Sequence, residues 1–212
     1  MGMRSRSATV SIPFAIALAV VTLSSLIASA QAGPPIAQVP GLLQPTWSIT
    51  YGGSRADEGW GVAVGVDGSV YFTGYDRTNP GRVTADVFLK KLNNDGTTVW
   101  SSAWGGAFDD EAFVATAYGD YVYVGGRSFT SFSLASGDLM ILKFHASNGS
   151  LAWGITADGG GGGYDEVDGL VVDGDYLYAS GWATLPGREL DIIVQKYFLN
   201  GTLVWSRTWG TA

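Results

Sequence analysis

The 212-residue chain contains no cysteine and a single histidine, His145. Disulfide bonds are therefore excluded, and the fold has to be held together by packing. A catalytic triad or a metal site built on histidines is excluded as well, because His145 has no second histidine or nucleophile motif to work with. Since it stands beside a predicted hairpin turn, we interpret His145 as a surface turn residue.

Lysine and arginine are also scarce. There are 12 of them against 19 acids, which gives a net charge of −7, and no basic cluster offsets it. Such a surface repels phosphate backbones, so nucleic acid is not expected as a partner. Long runs of strong helix formers are missing too, whereas Trp, Tyr, Val and Gly are abundant. This composition favours an all-β protein with many tight turns.

Only one long hydrophobic run is present, at residues 8–30, and it carries no charge. Arg4 and Arg6 precede it, and small residues fit a cleavage site after Ala30 or Ala32. We therefore predict that residues 1–32 are a signal peptide and that the protein is secreted or displayed at the cell surface. Because about 20 apolar residues can also span a bilayer, an uncleaved N-terminal anchor is the alternative, and no other membrane contact is expected.

After a predicted extended linker at residues 33–46, which holds four prolines, the chain repeats itself. The repeats start at Trp47 (WSITYGG), Trp100 (WSSAWGG), Trp153 (WGITADGG) and Trp205 (WSRTWG), with spacings of 53, 53 and 52 residues. We assign residues 47–212 to one repeat domain. Its units are 47–99, 100–152 and 153–204, and the next unit starts at 205.

Each unit predicts four short strands. An apolar run, a turn and an aromatic run come first, as in GVAVGVDGSVYFTG, and a second apolar strand then leads into the next Trp. Asp-Gly, Gly-Asp and Asn-Gly pairs supply the positive φ that hairpin turns need. Four strands in a repeat of this length are typical of a β-propeller blade. The fold class predicted is thus an all-β propeller of four-stranded blades, with each leading Trp filling the gap between neighbouring blades.

Two strand sequences, DLMILKF and DIIVQKY, place apolar residues on both faces. A strand with one wet face would alternate, so these strands are expected to be covered on both sides by neighbouring blades. Lysines recur inside these otherwise apolar strands, and a half-buried lysine needs a partner. We expect an acid of the adjoining blade to provide it for Lys91, Lys143 and Lys196.

The repeated motifs W-x-x-x-x-G-G, D-E, V-D-G-S-V-Y-F-T-G and D-V-F-L-K-K-L-N-N-D-G-T-T-V-W resemble the SBBP repeat of bacterial and archaeal exported proteins. That repeat is named for seven-bladed β-propellers. The resemblance covers about residues 47–209. It implies a blade architecture and does not imply any particular chemistry.

Three blades preceded by one extra strand at residues 47–51 make an incomplete ring, because closed propellers have about 4–8 blades. Open ends would leave a large apolar face bare. We expect a chain that is truncated at its C terminus. The alternative is that open arcs pair into a ring, in which case each arc carries a surplus strand.

An Asp-Glu pair recurs at an equivalent place in every unit, so a unique catalytic dyad is not expected. The pairs are Asp57 with Glu58, Asp110 with Glu111 and Asp165 with Glu166. We interpret them as architectural acids that cap turns at the start of the innermost strand and pair with a basic group. The functional alternative is calcium, which needs six to eight oxygen ligands. No other cofactor is expected.

Function is expected where the repeats differ, in the segments 75–85, 127–137 and 182–190. The candidate ligand-binding residues, chosen as aromatic or cationic side chains, are Arg77, Arg82, Phe129, Phe132, Trp182 and Arg188. They suit an extracellular protein or polysaccharide. We therefore predict a non-enzymatic binding or scaffolding module. The alternative is a fragment of an extracellular hydrolase or lyase that acts on polysaccharide.

Overall fold

The structure, a computed structural model, describes residues 47–77, 84–133 and 137–210. All regular secondary structure in these ranges is β, with twelve strands. No helix there has the length and hydrophobicity that crossing a membrane requires. The predicted signal peptide and linker lie outside the described residues.

The twelve strands form three four-stranded antiparallel sheets, each in chain order. Sheet 1 contains β1 (Glu58–Val64), β2 (Val70–Asp76), β3 (Asp86–Leu92) and β4 (Thr98–Trp104). Sheet 2 contains β5 (Asp110–Tyr118), β6 (Tyr121–Phe129), β7 (Gly137–His145) and β8 (Leu151–Ala157). Sheet 3 contains β9 (Glu166–Asp173), β10 (Tyr176–Thr184), β11 (Leu190–Phe198) and β12 (Leu203–Trp209). The predictions of an all-β fold and of four strands per repeat are confirmed.

Each sheet begins at an Asp-Glu pair and ends with the strand of the next repeat's Trp. Trp100 thus lies in β4 of sheet 1, and Trp153 lies in β8 of sheet 2. The structural unit is therefore shifted along the chain relative to the sequence repeat.

The extra strand predicted at residues 47–51 was wrong, because these residues are not in a strand. They still lie against sheet 1. The indole Nε1 of Trp47 donates to the carbonyl oxygen of Asn94 at 2.9 Å, and the ring of Tyr51 meets that of Phe88 at 5.1 Å. A strand needs a partner for its backbone ladder, and none of the described strands runs beside this segment.

The three sheets stack in chain order. The first strand of sheet 2, β5, lies against β1, β2 and β3, and the first strand of sheet 3, β9, lies against β5, β6 and β7. Two separate apolar clusters fill the two spaces between sheets. The first contains Tyr71, Val87, Leu89, Ala112, Ala115, Val122, Val124, Met140, Leu142 and Phe144. The second contains Tyr123, Leu139, Ile141, Val167, Leu177, Ala179, Ala183, Ile193 and Tyr197.

Burial differs between the middle and the last sheet. In β7 both faces are covered, since Leu139 and Met140 are 1% and 0% exposed although they point to opposite sides. In β11 burial alternates, with Ile192 59% and Ile193 4% exposed. The predicted two-sided cover is therefore confirmed for the middle sheet, and sheet 3 has one covered face.

A repeated polar link joins each sheet to the next. The indole of Trp100 in sheet 1 donates to the carbonyl oxygen of Ala146 in sheet 2 at 3.1 Å. In the same way the indole of Trp153 donates to the carbonyl oxygen of Leu199 in sheet 3 at 3.2 Å. Both acceptors lie in turns between the third and fourth strands of their sheets. The predicted position of the Trp is confirmed to the extent that Trp100 and Trp153 lie between neighbouring sheets, although both rings remain half-buried.

The turn that receives Trp100 requires a glycine. Gly149 has a φ of 73°, which side chains other than glycine rarely adopt. A Cβ at this position would also lie 2.6 Å from the ring of Trp100. Gly149 therefore allows the indole of the preceding sheet to approach the turn backbone.

The expected acid partner from the adjoining sheet was wrong for Lys91 and Lys143. Lys143 Nζ donates to the carbonyl oxygen of Leu199 at 2.9 Å and lies 3.7 Å from the ring centre of Tyr121. Lys91 does meet an acid, Asp67 at 3.1 Å, but this acid belongs to its own sheet. The adjoining sheet supplies a backbone carbonyl instead, because the lysine lies next to the strand with the donating Trp and reaches the same turn.

We expect Trp153→Ala to lower the free energy of unfolding by about 3 kcal/mol, since it removes a ring and a hydrogen bond from between two sheets. Trp205→Ala is the matched control, because Trp205 occupies the equivalent place in β12, beyond which the structure describes no further sheet. It should cost well under half as much. Urea denaturation at low protein concentration measures both, and equal losses would contradict the inter-sheet role of Trp153.

Candidate functional site

The two ends of the sheets differ. Because all neighbouring strands are antiparallel, the tight turns within each hairpin collect at one end, which we call the turn end. The longer segments after the second and fourth strands collect at the other end, which we call the loop end. The three acid pairs lie at the loop end, together with the described parts of the variable segments.

The Asp of each pair fastens the loop that precedes the first strand. Its Oδ2 accepts a hydrogen bond from the backbone N–H of the glycine six residues after the Trp. These bonds join Gly53 to Asp57 (2.6 Å), Gly106 to Asp110 (2.7 Å) and Gly159 to Asp165 (2.6 Å). This is the capping role predicted for the acids. It explains why an Asp recurs in every repeat.

The other oxygen of the Asp reaches the end of the second strand in two sheets. Oδ1 of Asp57 accepts from the N–H of Arg77 at 2.8 Å, and Oδ1 of Asp165 accepts from that of Thr184 at 2.7 Å. These carboxylates are thus occupied by backbone donors. Within residues 47–77, 84–133 and 137–210, no three His, Asp or Glu side chains converge in a way that could hold a metal ion. The calcium prediction gains no support here.

The Glu of each pair faces a different residue on the second strand. Glu58 is paired in register with Tyr75, Glu111 with Arg127, and Glu166 with Trp182. This position is where the three sheets differ in chemistry at the loop end.

Arg127 binds two acids that belong to different sheets. Its Nη2 forms an ion pair with Glu111 of sheet 2, and its Nη1 forms one with Glu166 of sheet 3 at 2.7 Å. Phe113, Phe129 and Tyr164 surround the guanidinium with ring centres at 5.0, 5.3 and 4.6 Å. The predicted pairing of the acids with a basic group is confirmed for these two glutamates. The two ion pairs neutralise the charge of Arg127, and through them Arg127 links sheet 2 to sheet 3.

Burial is the main cause of the shifted pKa values of three carboxyl groups at the loop end. Loss of water raises the pKa of Asp110 and of Asp165 above their ordinary value of 3.8, although backbone N–H donors partly oppose it. Burial likewise raises the pKa of Glu166, against the opposing effect of Arg127. The folded protein therefore holds protons on these groups more tightly than the unfolded chain does.

The predicted ligand-binding residues fall into three groups. Phe132 and Trp182 are available to a partner, with 78% and 40% of their surface exposed. Arg77 and Arg188 already have protein partners: Arg77 donates to the carbonyl oxygen of Ala56 at 3.3 Å and lies 3.7 Å from Asp109, and Arg188 pairs with Asp191 at 2.9 Å.

Of the remaining two candidates, Phe129 does not contribute to that surface. Phe129 is 7% exposed, packed on Arg127 and, at 5.7 Å, on the ring of Tyr164, which removes it from the surface that a ligand would touch. Arg82 lies outside the described residues. Sequence analysis could not separate Phe129 from Phe132, because burial at a strand end depends on the neighbouring sheet.

A cleft at the turn end was not predicted. It lies between sheets 1 and 2 and has a volume of about 520 Å³. Its polar and aromatic lining includes Asp67, Tyr71, Lys91, Tyr118, Tyr121 and His145. The ring of His145 packs on Tyr121 at 5.0 Å, so this residue borders a cleft besides lying next to a turn. The recurring lysine was the one signal in the sequence that pointed to this place.

No protein-family model matches the chain, and no curated protein matches it significantly. The likeness to the SBBP repeat therefore stays a prediction from the motifs.

Replacement of Arg127 by Met should lower the free energy of unfolding by about 3 kcal/mol, because it leaves two buried carboxylates without their cation. Adding Glu111→Gln and Glu166→Gln should recover at least half of that loss. Arg77→Met is the control, since the Arg77 pair with Asp109 is longer (3.7 Å) and more exposed, and should cost less than about 1 kcal/mol. A triple variant as unstable as Arg127→Met, measured by urea denaturation, would contradict the ionic link.

The melting temperature should rise as the pH is lowered from 7 towards about 4. The pKa values of Asp110, Asp165 and Glu166 are higher in the folded protein than in the unfolded chain. As the pH falls, the folded state therefore binds protons on these groups before the unfolded state does, and this stabilises the fold. Below pH 3.8 the trend should reverse. Donation from the N–H of Ser69 and from Lys91 lowers the pKa of Asp67 to about 2, and that stabilisation is lost as the pH falls.

Calorimetric scans from pH 7 to pH 2 measure this profile. Asp165→Asn should make the rise in melting temperature between pH 7 and about pH 4 smaller, because it removes one of the titrating groups. A melting temperature that decreases as the pH is lowered from 7 to 5 would show that burial is not the main influence on the pKa values of these carboxyl groups.

Proposed function

We propose that this protein is an exported β-propeller module that binds or scaffolds an extracellular protein or polysaccharide at or outside the cell surface, without catalysis of its own. The observation that carries the proposal is the difference between the stacking faces of the sheets and their loop end. The stacking contacts are the same in successive sheets, whereas the side chains at the loop end differ.

The stacking supports the propeller. Each sheet is a four-stranded antiparallel meander, and the first strand of each lies against the preceding sheet. The middle sheet is covered on both faces. These are features of propeller blades. The three described sheets do not close into a ring, so further sheets are part of the proposal.

The chemistry of the acids supports a non-catalytic role. Catalytic carboxylates need access to a substrate and a proton. Asp57, Asp110 and Asp165 instead accept backbone N–H groups, and Glu111 and Glu166 pair with Arg127. These contacts account for five of the six repeated acids through folding alone.

The exposed aromatics support binding at the loop end. Phe132 packs edge-to-face on Phe108 with ring centres 4.9 Å apart, and is 78% exposed. Trp182 follows on the next sheet and is 40% exposed. Aromatic side chains dominate the energetic centres of binding surfaces. Two of them on neighbouring sheets can contact one extended partner.

A glycan and protein array tests this proposal, with the secreted chain as the probe. For the partners found, Phe132→Ala and Trp182→Ala should each weaken binding at least tenfold, since hot-spot aromatics contribute at least about 1.4 kcal/mol. Tyr118→Ala is the matched control, because Tyr118 is 43% exposed but lies at the turn end. Equal affinities of the three variants would contradict binding at the loop end.

A further inference from the structure

The cleft at the turn end has both of its walls in the described part of the chain, one on sheet 1 and one on sheet 2. Sheet 2 packs on sheet 3 in a similar way, with the same indole bond to the turn between the third and fourth strands. The two contacts therefore match position by position. At the positions around the cleft, the second contact has larger side chains.

One of these larger side chains is a tyrosine that covers the recurring lysine. Lys143 Nζ lies 3.7 Å from the ring centre of Tyr121, and Lys196 Nζ lies 3.5 Å from that of Tyr176. Each of these rings belongs to the residue two positions before the strand partner of its lysine. The lysine of sheets 2 and 3 thus packs against a phenol ring from its own sheet.

In sheet 1 this position is taken by Ser69, two residues before Tyr71, which is the strand partner of Lys91. Lys91 binds Asp67 instead, at 3.1 Å, and the hydroxyl of Ser69 donates to the same carboxylate at 2.9 Å. The side chain of Asp67 is 54% exposed. Lys91 therefore has a carboxylate partner but lacks the ring that covers the lysine in the other two sheets.

The opposite wall of the cleft is smaller as well. It includes Ala117 of β5 and Ala146 of the turn after β7. The equivalent residues of sheet 3 are Val172 and Leu199, which pack against the second apolar cluster. A serine replaces a tyrosine on one wall, and two alanines replace a valine and a leucine on the other. The cleft of about 520 Å³ lies where these smaller residues face each other.

The lining of the cleft favours a ring that carries polar groups. Lys91 is part of the lining, and an ammonium group attracts the face of an aromatic ring. Asp67, Asp120 and Ser147 are exposed lining residues whose oxygens can bond to hydroxyl groups. Small-molecule sites usually have volumes of about 300–1,000 Å³, so the cleft is large enough for a substituted ring.

We propose that this cleft binds the ring of a phenol, which takes the place beside Lys91 that Tyr121 and Tyr176 hold beside their own lysines. The ligand thus supplies from outside the group that sheets 2 and 3 supply from their own sequence. The site lies at the turn end, away from the aromatic surface at the loop end, and it does not rest on the proposed function.

Titration of the full chain with p-cresol, the side chain of tyrosine without its backbone, tests this site by ligand-observed NMR. Binding should saturate, with a Kd on the order of 1 mM for so small a molecule. The matched control ligand is 4-methylcyclohexanol, which has a similar size but no π-electrons. It should bind at least about fivefold more weakly, because a desolvated cation–π contact contributes about 1 kcal/mol or more.

Two substitutions install residues of the other sheets and close the cleft from either wall. Ser69→Tyr and Ala146→Leu should each weaken the binding of p-cresol at least tenfold, because the new side chain occupies the space of the ligand. Ser69→Ala adds no volume and is the control for the first. Ala103→Leu makes the same change as the second at an exposed position of β4. Both controls should bind like the wild type, and calorimetry establishes that each variant is folded.

N-acetyltyrosinamide distinguishes the two sources of a phenol ring. If it binds at least as tightly as p-cresol, the ring belongs to a tyrosine of a peptide, and if it binds more weakly, the ligand is a free phenol. Three results would overturn the proposal. They are a wild type that shows no saturable binding of p-cresol, equal binding of 4-methylcyclohexanol, and a folded Ser69→Tyr or Ala146→Leu variant that binds p-cresol like the wild type.

Discussion

The burial of one sheet face by the next is the constraint on which this structure depends. A four-stranded sheet with apolar residues on both sides cannot be stable alone in water. In β7, Leu139 and Ile141 point to sheet 3, whereas Met140 and Leu142 point to sheet 1. The stability of the middle sheet is therefore a property of three sheets together, and neither neighbour can be removed without exposing a core.

Apolar contact alone would let neighbouring sheets slide past one another, and polar links at the turn end and at the loop end prevent this. At the turn end, the indoles of Trp100 and Trp153 reach into the next sheet. At the loop end, Arg127 spans two sheets through Glu111 and Glu166. Directional bonds at two separated points define both the distance and the rotation between neighbouring sheets.

The repeat pattern predicted the strands, their grouping in fours and the position of the Trp between sheets, because these depend on local periodicity and on residues within one unit. The partners of Lys91 and Lys143 could not be predicted, since a backbone carbonyl leaves no trace in the sequence. Residues 47–51 carry a strand sequence without the neighbouring strand that would pair with it. Arg127 was overlooked because its two acids are 16 and 39 residues away and belong to two sheets.

The displacement of the sheets along the chain relative to the sequence repeat has an evolutionary consequence. The donor Trp ends one sheet, and the glycine turn that receives it lies near the end of the next sheet, as Trp100 and Gly149 show. Any tandem duplication of about 53 residues thus copies one donor and one acceptor together. Genes encoding such arrays can gain or lose units by unequal recombination without having to redesign a joint.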